Sequence, residues 1–205
     1  MVLTTHRLGA LTVDQLRFRY FPTNTRGSQV ACYRRVSRLI KGAFLEPNYV
    51  PFLANTGRGK ALLTLGPQGR ILVSQLLGIP RSQIGRVRLD SPVVIPHHLA
   101  LCDTRLALEL ACERSTSFIL ESWVPERELR QSPITVKDPK TGETAPLVPD
   151  AAFSITPTPG RTERFFVEQD MGTVPVGRMR PKLRAYLLGI QEPALFVCYL
   201  STKSI

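Results

Sequence analysis

The sequence predicts an α/β chain in two parts, a basic helix-turn-helix module followed by a sheet with helices packed on it. Three observations carry that prediction. The net charge of the 205 residues is +11, and all of the excess lies in the first 90. Met1 to Asp90 holds 14 Lys and Arg against 3 Asp and Glu, whereas Ser91 to Ile205 holds 13 against 13. The first half also carries helix-start and helix-stop signals in close succession, ahead of a hairpin pattern. The second half alternates helix-like and strand-like apolar runs. A basic module joined to a neutral one points to a first half that binds a polyanion and a second half with a different task.

The elements follow in order. "LTVDQLRFRY" opens with Thr12 and Gln15 in the spacing of a capping box, where hydroxyl and amide cross-bond the free N–H groups of a helix start. Leu11 and Leu16 flank it as a hydrophobic staple, and a helix is expected over 13–20. "FPTNTRG" breaks that helix with Pro22, Asn24 and Gly27. In "SQVACYRRVSRLIKGAF", about 100° per residue puts Cys32, Tyr33, Val36, Leu39 and Ile40 on one stripe, with Arg34, Arg38 and Lys41 opposite. Arg35 lies beside them, and Gly42 supplies the stop. Helix, short turn and a helix with an apolar back and an arginine front form a DNA-binding helix-turn-helix pattern. Its second helix fits the major groove, where Arg and Lys reach phosphates and guanine edges. Ser28 and Gln29, near the helix start, reach backbone or base edges. "FLEPNYVPFLANTGRGKALLTL" reads as two strands about a turn, a wing that carries Arg58 and Lys60, and "GPQGRILVSQLLG" closes the module as a helix. The expected winged helix-turn-helix domain spans 1–80, and a proline-rich linker spans 81–96.

From residue 97 an α/β domain is expected. "HHLALCDTRLALELACER" is a helix with Leu99, Cys102, Leu106 and Leu110 on one stripe, Asp103 projecting into that face and Glu109 on its flank. "SFILESWV", "LVPDAAFSI" and "RFFVEQD" read as strands. "RPKLRAYLLG" reads as a helix that begins around Pro181, a first-turn proline, and "ALFVCYL" is a last strand. Side chains two apart share a strand face, so Glu168 and Asp170 point the same way. If the preceding strand pairs with theirs as a hairpin, Asp150 lies beside them. Carboxylates held that close repel unless a cation or a proton intervenes. Hard oxygen ligands favour Mg²⁺ or Mn²⁺, with Asp103, Asp150, Glu168 and Asp170 as the candidate ligands. Pairing with Arg178, Arg180 or Lys182 downstream is the alternative. The four cysteines form no CxxC pair and read as reduced thiols rather than a zinc site or disulfide framework. The opening residues lack the apolar core of a signal peptide, and no apolar run is long enough to span a membrane. A cytoplasmic protein with no membrane partner is therefore expected.

The blocks "HHLALCDTRLALE", "PDAAF", "FFVEQDMGT" and "KLRAY" together resemble the replication-relaxation family of bacterial plasmids and mobile elements. The matching positions are His97 and Asp103, then Pro149 and Asp150, then Glu168, Asp170, Gly172 and Thr173, and finally Lys182 and Tyr186. The resemblance implies a winged-helix module joined to a restriction-endonuclease-like domain of the PD-(D/E)xK kind, with a mixed central sheet. It also implies double-stranded DNA as partner, other replication or transfer proteins beside it, and a bacterial cytoplasmic setting. An active site of that kind carries a lysine two residues after the second acid, where this chain has Asp170. Lys182 stands in as a migrated lysine, which makes Asp150, Glu168 and Lys182 the catalytic candidates, with Mg²⁺ or Mn²⁺ as cofactor if the site works. Two functions stay open: a DNA-binding protein with an auxiliary nuclease-like domain, or a metal-dependent DNA endonuclease. A docking platform is a third. Winged-helix modules often act as homodimers, although the sequence carries no coiled-coil heptads to support one here.

Overall fold

The computed structural model opens on an element that the residue pattern did not announce, the helix α1 (Val2–Leu8). It leads into a two-residue strand, β1 (Leu11–Thr12), and then into α2 (Val13–Tyr20). Here the capping box is complete: Gln15 N–H donates to Thr12 Oγ1 at 3.1 Å, and Thr12 N–H donates to Gln15 Oε1 at 2.9 Å. After the turn, α3 (Arg26–Lys41) starts two residues before the expected Ser28, because Thr25 caps it through the N–H of Ser28. β2 (Leu45–Val50) and β3 (Lys60–Leu65) pair antiparallel, Leu45 opposite Leu65, and β1 pairs with β3 on its other side. The sheet order is therefore β1-β3-β2. α4 (Pro67–Leu77) follows, with proline in its first turn. Its Gly69 admits no side chain, since a Cβ there would lie 2.1 Å from the Phe44 carbonyl oxygen.

The described residues are 1–50, 60–85, 94–137, 142, 144–172, 176–189 and 195–201. They divide into two compact units, Met1–Leu106 and Ala107–Ile205. That division falls inside the long helix α5 (Val94–Arg114), ten residues later than the expected domain start at 97. The reason is packing within the first unit. Buried Cys102 and Leu106 join a core made of Leu8, Leu11, Leu16, Cys32, Val36, Leu45, Leu63 and Val73. The expected linker is also partly structured: residues 81–83 form a 3-10 turn, and Ile84 is buried in the same core. The structural division keeps the charge split, with 15 Lys and Arg against 4 Asp and Glu in Met1–Leu106 and 12 against 12 beyond it.

The second unit holds β4 (Phe118–Pro125), α6 (Glu126–Leu129), the hairpin β5 (Ile134–Lys137) and β6 (Thr144–Leu147), then β7 (Ala151–Pro157), β8 (Glu163–Asp170), α7 (Val176–Gly189) and β9 (Leu195–Ser201). The four-stranded sheet runs β4-β7-β8-β9. Its first two pairings are antiparallel and its last is parallel. A parallel pair needs a crossover, and α7 supplies it. Register on one face is set by a row of rings at directly paired positions. Trp123, Phe153, Phe165 and Phe196 stack in turn at centroid spacings of 5.9, 4.7 and 5.2 Å. On the other face α7 packs its Tyr186 against Phe166, in a cluster with Val136, Leu147 and Val197.

Two expectations need correction. The small β5–β6 hairpin was not anticipated; its apolar pattern of Ile134, Val136 and Leu147 is too short to register as strands. The last helix begins at Val176 rather than around Pro181, so that proline sits inside it. A proline costs an interior helix one backbone hydrogen bond, which α7 tolerates.

Candidate functional site

In the first unit, the turn after α2 and the Thr25 cap present α3 with its back inward. Cys32 and Val36 are buried, at 0% and 3% exposure. Burial also pushes the Cys32 thiol above its usual range, with Arg17 nearby pulling the other way. Arg34, Arg35, Arg38 and Lys41 are exposed, as the helical spacing requires. Tyr33 departs from the expected apolar stripe: it is 49% exposed, because it lies at the edge of the buried arc. Ser28 is already engaged, its hydroxyl donating to the Phe21 carbonyl at 3.1 Å, whereas Gln29 is exposed. Lys60 is the first residue of β3, opposite Val50. Arg58, with the rest of the turn between the two strands, lies outside the described residues.

Asp103 belongs to this same unit. Rather than projecting into the apolar face it is exposed, and its Oδ1 accepts from Gln15 Nε2 at 2.8 Å, while that amide also reaches the Leu99 carbonyl at 2.9 Å. One glutamine thus caps α2 and ties it to α5. Asp103 is accounted for by that structural role. His97 lies six residues earlier on the same helix, half-buried.

In the second unit the expected hairpin forms. Asp150 immediately precedes β7, and its N–H donates to the Val167 carbonyl at 3.0 Å. Its Oδ2 accepts from the Gln169 N–H at 2.8 Å, which anchors the carboxylate against the end of β8. Pro149 before it is fully buried. Glu168 and Asp170 share a face of β8, as the strand period demands, but their surroundings differ. Glu168 is 6% exposed and Asp170 is half-buried. One oxygen of Glu168 takes the Lys182 ammonium and the other takes the Tyr186 hydroxyl. Lys182 and Tyr186 stand one turn apart on α7 and so reach the same carboxylate. Asp170 accepts from the Gly172 N–H at 2.8 Å, in a turn where Gly172 takes φ of 69°, a conformation that favours glycine. Thr173 lies outside the described residues.

The electrostatics follow from burial. Removal from water raises the Glu168 carboxyl above the ordinary glutamate range, the Lys182 and Tyr186 bonds pull it back, and the Asp150 charge adds to the rise. The Tyr186 phenol is raised strongly, by burial first and then by Glu168 and Asp150. The Tyr199 phenol is raised by desolvation, then by Asp170, Glu168 and Asp150, so all three acids act at one end of the sheet. Tyr199 sits opposite Glu168 on the parallel neighbour β9, a register that the sequence did not reveal.

Carboxylate oxygens suit Mg²⁺ or Mn²⁺ in kind. In this arrangement both Glu168 oxygens face hydrogen-bond donors and one Asp150 oxygen faces a backbone N–H, so a divalent ion there would have to displace those donors. Among the described residues no group of three or more His, Cys, Asp and Glu side chains is placed to hold a metal ion. The repulsion between neighbouring acids is answered by the chain's own Lys182. What the corner offers chemically is a buried carboxyl group raised by its burial, with an ammonium and a phenol as its donors. No helix among the described residues is long and apolar enough to cross a membrane.

Against known proteins, a family model described as replication-relaxation matches residues 3–191. No curated protein and no solved structure matches the chain.

Proposed function

The chain belongs to the replication-relaxation family, and from that premise we propose that it binds double-stranded DNA in the replication or relaxation of a plasmid or other mobile element. The observation that carries the proposal is α3, whose Cys32 and Val36 lie in the core while Arg34, Arg35, Arg38 and Lys41 face solvent. The surroundings of α3 support it. The order α1, β1, α2, α3, β2, β3 with a β1-β3-β2 sheet fits the winged helix-turn-helix reading, in which α3 would enter the major groove. Its unit also carries all of the excess positive charge.

The test is fluorescence anisotropy of the full chain on a labelled duplex across a salt series. Each neutralised phosphate contributes about −0.9 to the slope of log affinity against log salt. Arg34→Ala and Arg38→Ala should each weaken binding and reduce the slope by about one if their guanidinium meets a phosphate. A flat salt dependence, or variants that bind like the parent, would remove the proposal.

A second reading, a Mg²⁺- or Mn²⁺-dependent DNA endonuclease, is favoured by one feature: Asp150, Glu168 and Lys182 meet at one end of a mixed sheet. The element order helix, three sheet strands, helix, strand also fits the nuclease-like domain implied by the family resemblance. Supercoiled plasmid incubated with Mg²⁺ or Mn²⁺ separates the readings. Nicking by the parent protein that is lost in Asp150→Ala supports the enzyme. Plasmid left intact by the parent protein leaves the second unit an auxiliary domain.

A further inference from the structure

The exposed side of α3 is not uniformly basic. At about 100° per residue, the line opposite Cys32 and Val36 runs through Gly27, Val30, Arg34, Arg38 and Lys41. Its C-terminal part is entirely cationic, whereas its N-terminal part is a glycine and a valine. Val30 is 39% exposed and belongs to none of the buried clusters. A β-branched residue at this partly exposed helix position loses side-chain freedom and joins no core cluster, so core packing does not account for it. Arg34 lies one turn further along the same line, about 6 Å away at 1.5 Å per residue. Gly27, one turn earlier, adds no bulk to hold the helix off a facing surface.

We propose that Val30 reads a pyrimidine 5-methyl group in the major groove, while Arg34 engages the neighbouring phosphate or guanine edge. The inference rests on the DNA-binding reading above and adds a base preference to it. The N-terminal residues of a recognition helix are those that meet base edges. The 5-methyl is the apolar feature of the major-groove floor, and small apolar side chains pack against it. A cation at position 30 would take a phosphate or a guanine, whereas a valine can take neither. Thymine is the ordinary carrier of that methyl, and 5-methylcytosine presents the same group.

The experiment selects duplexes from a random-sequence library with the full chain, then replaces each thymine of a selected duplex in turn by deoxyuridine, which lacks only the methyl. At one position the replacement should weaken binding about fourfold, the value of one buried methyl. Val30→Ala should weaken binding to the thymine duplex by a similar factor and bind thymine and deoxyuridine duplexes equally. Placing cytosine or 5-methylcytosine at that position identifies the source: tighter binding to 5-methylcytosine than to thymine keeps the methyl contact and reassigns its carrier. The inference is overturned if no deoxyuridine replacement weakens binding, or if Val30→Ala keeps the difference. In that outcome salt-dependent DNA binding still stands. Absence of binding to any duplex at low salt overturns the DNA-binding reading itself, and this inference with it.

Discussion

Tyr186→Phe isolates the hydroxyl that helps to hold Glu168. The tyrosine is 3% exposed, and its ring lies 5.9 Å from that of Phe166, so phenylalanine keeps the packing and removes only the donor. Glu168, itself 6% exposed, keeps Lys182 on its other oxygen. A buried hydrogen bond to a charged acceptor is worth about 1.5–3 kcal/mol, and one between neutral groups about 0.5–1.5 kcal/mol. The cost of the substitution should therefore depend on whether Glu168 is ionised. Because burial raises its carboxyl, the folded state holds that proton more tightly than the unfolded chain does. This group's stabilising contribution is thus present at low pH and is lost as pH rises through the folded value. Removing the phenol raises the carboxyl further, so the gap between variant and parent should widen with pH. Urea denaturation at about pH 5 and about pH 8 should show a larger loss at the higher pH, by about 1 kcal/mol, with unchanged m. An equal loss at both pH values, or a loss below about 0.5 kcal/mol at the higher one, would refute the hydrogen-bond account.

Other substitutions test other joints. Glu168→Gln removes the cost of a buried charge along with the ion pair, so stability at about pH 8 should stay within about 1 kcal/mol of the parent. A much larger loss in urea would mean that the Lys182 pair dominates. Gln15→Ala forfeits the side-chain half of the capping box and both bonds to α5, and thermal unfolding should report a loss of about 2–4 kcal/mol. A loss under about 1 kcal/mol would show that the cap and the α5 tie contribute little. Gly69→Ala forces a Cβ towards the Phe44 carbonyl oxygen at 2.1 Å and should cost about 1–3 kcal/mol in the same assay. Parent-like unfolding would show that α4 can shift at no cost.

What the residues disclosed and what they hid differ by range. The capping box of Thr12 and Gln15, the arginine front of α3 and the shared face of Glu168 and Asp170 all depend on periodicity within a few residues. The meeting of Asp150 with the end of β8 was legible too, because a hairpin brings its first and last positions together. The helix α1 was missed because its seven residues carry no side-chain cap. The tie from Gln15 to Asp103 spans 88 positions, and no local pattern signals it. It explains why Asp103, one of the candidate metal ligands, serves a helix contact in the first unit.

By itself the sequence determined the charge division, the helices α2 and α3 with the exposed arginines of α3, and the hairpin that sets two acids side by side. Only the tertiary structure decided what neutralises Glu168. The deciding contact comes from α7, which crosses over so that β9 can run parallel to β8 and thereby lays Lys182 and Tyr186 on the buried carboxylate. Local spacing governs which side chains share a face. Which charge meets which partner across a crossover depends on how the helix packs on the sheet, and only the folded chain holds that information.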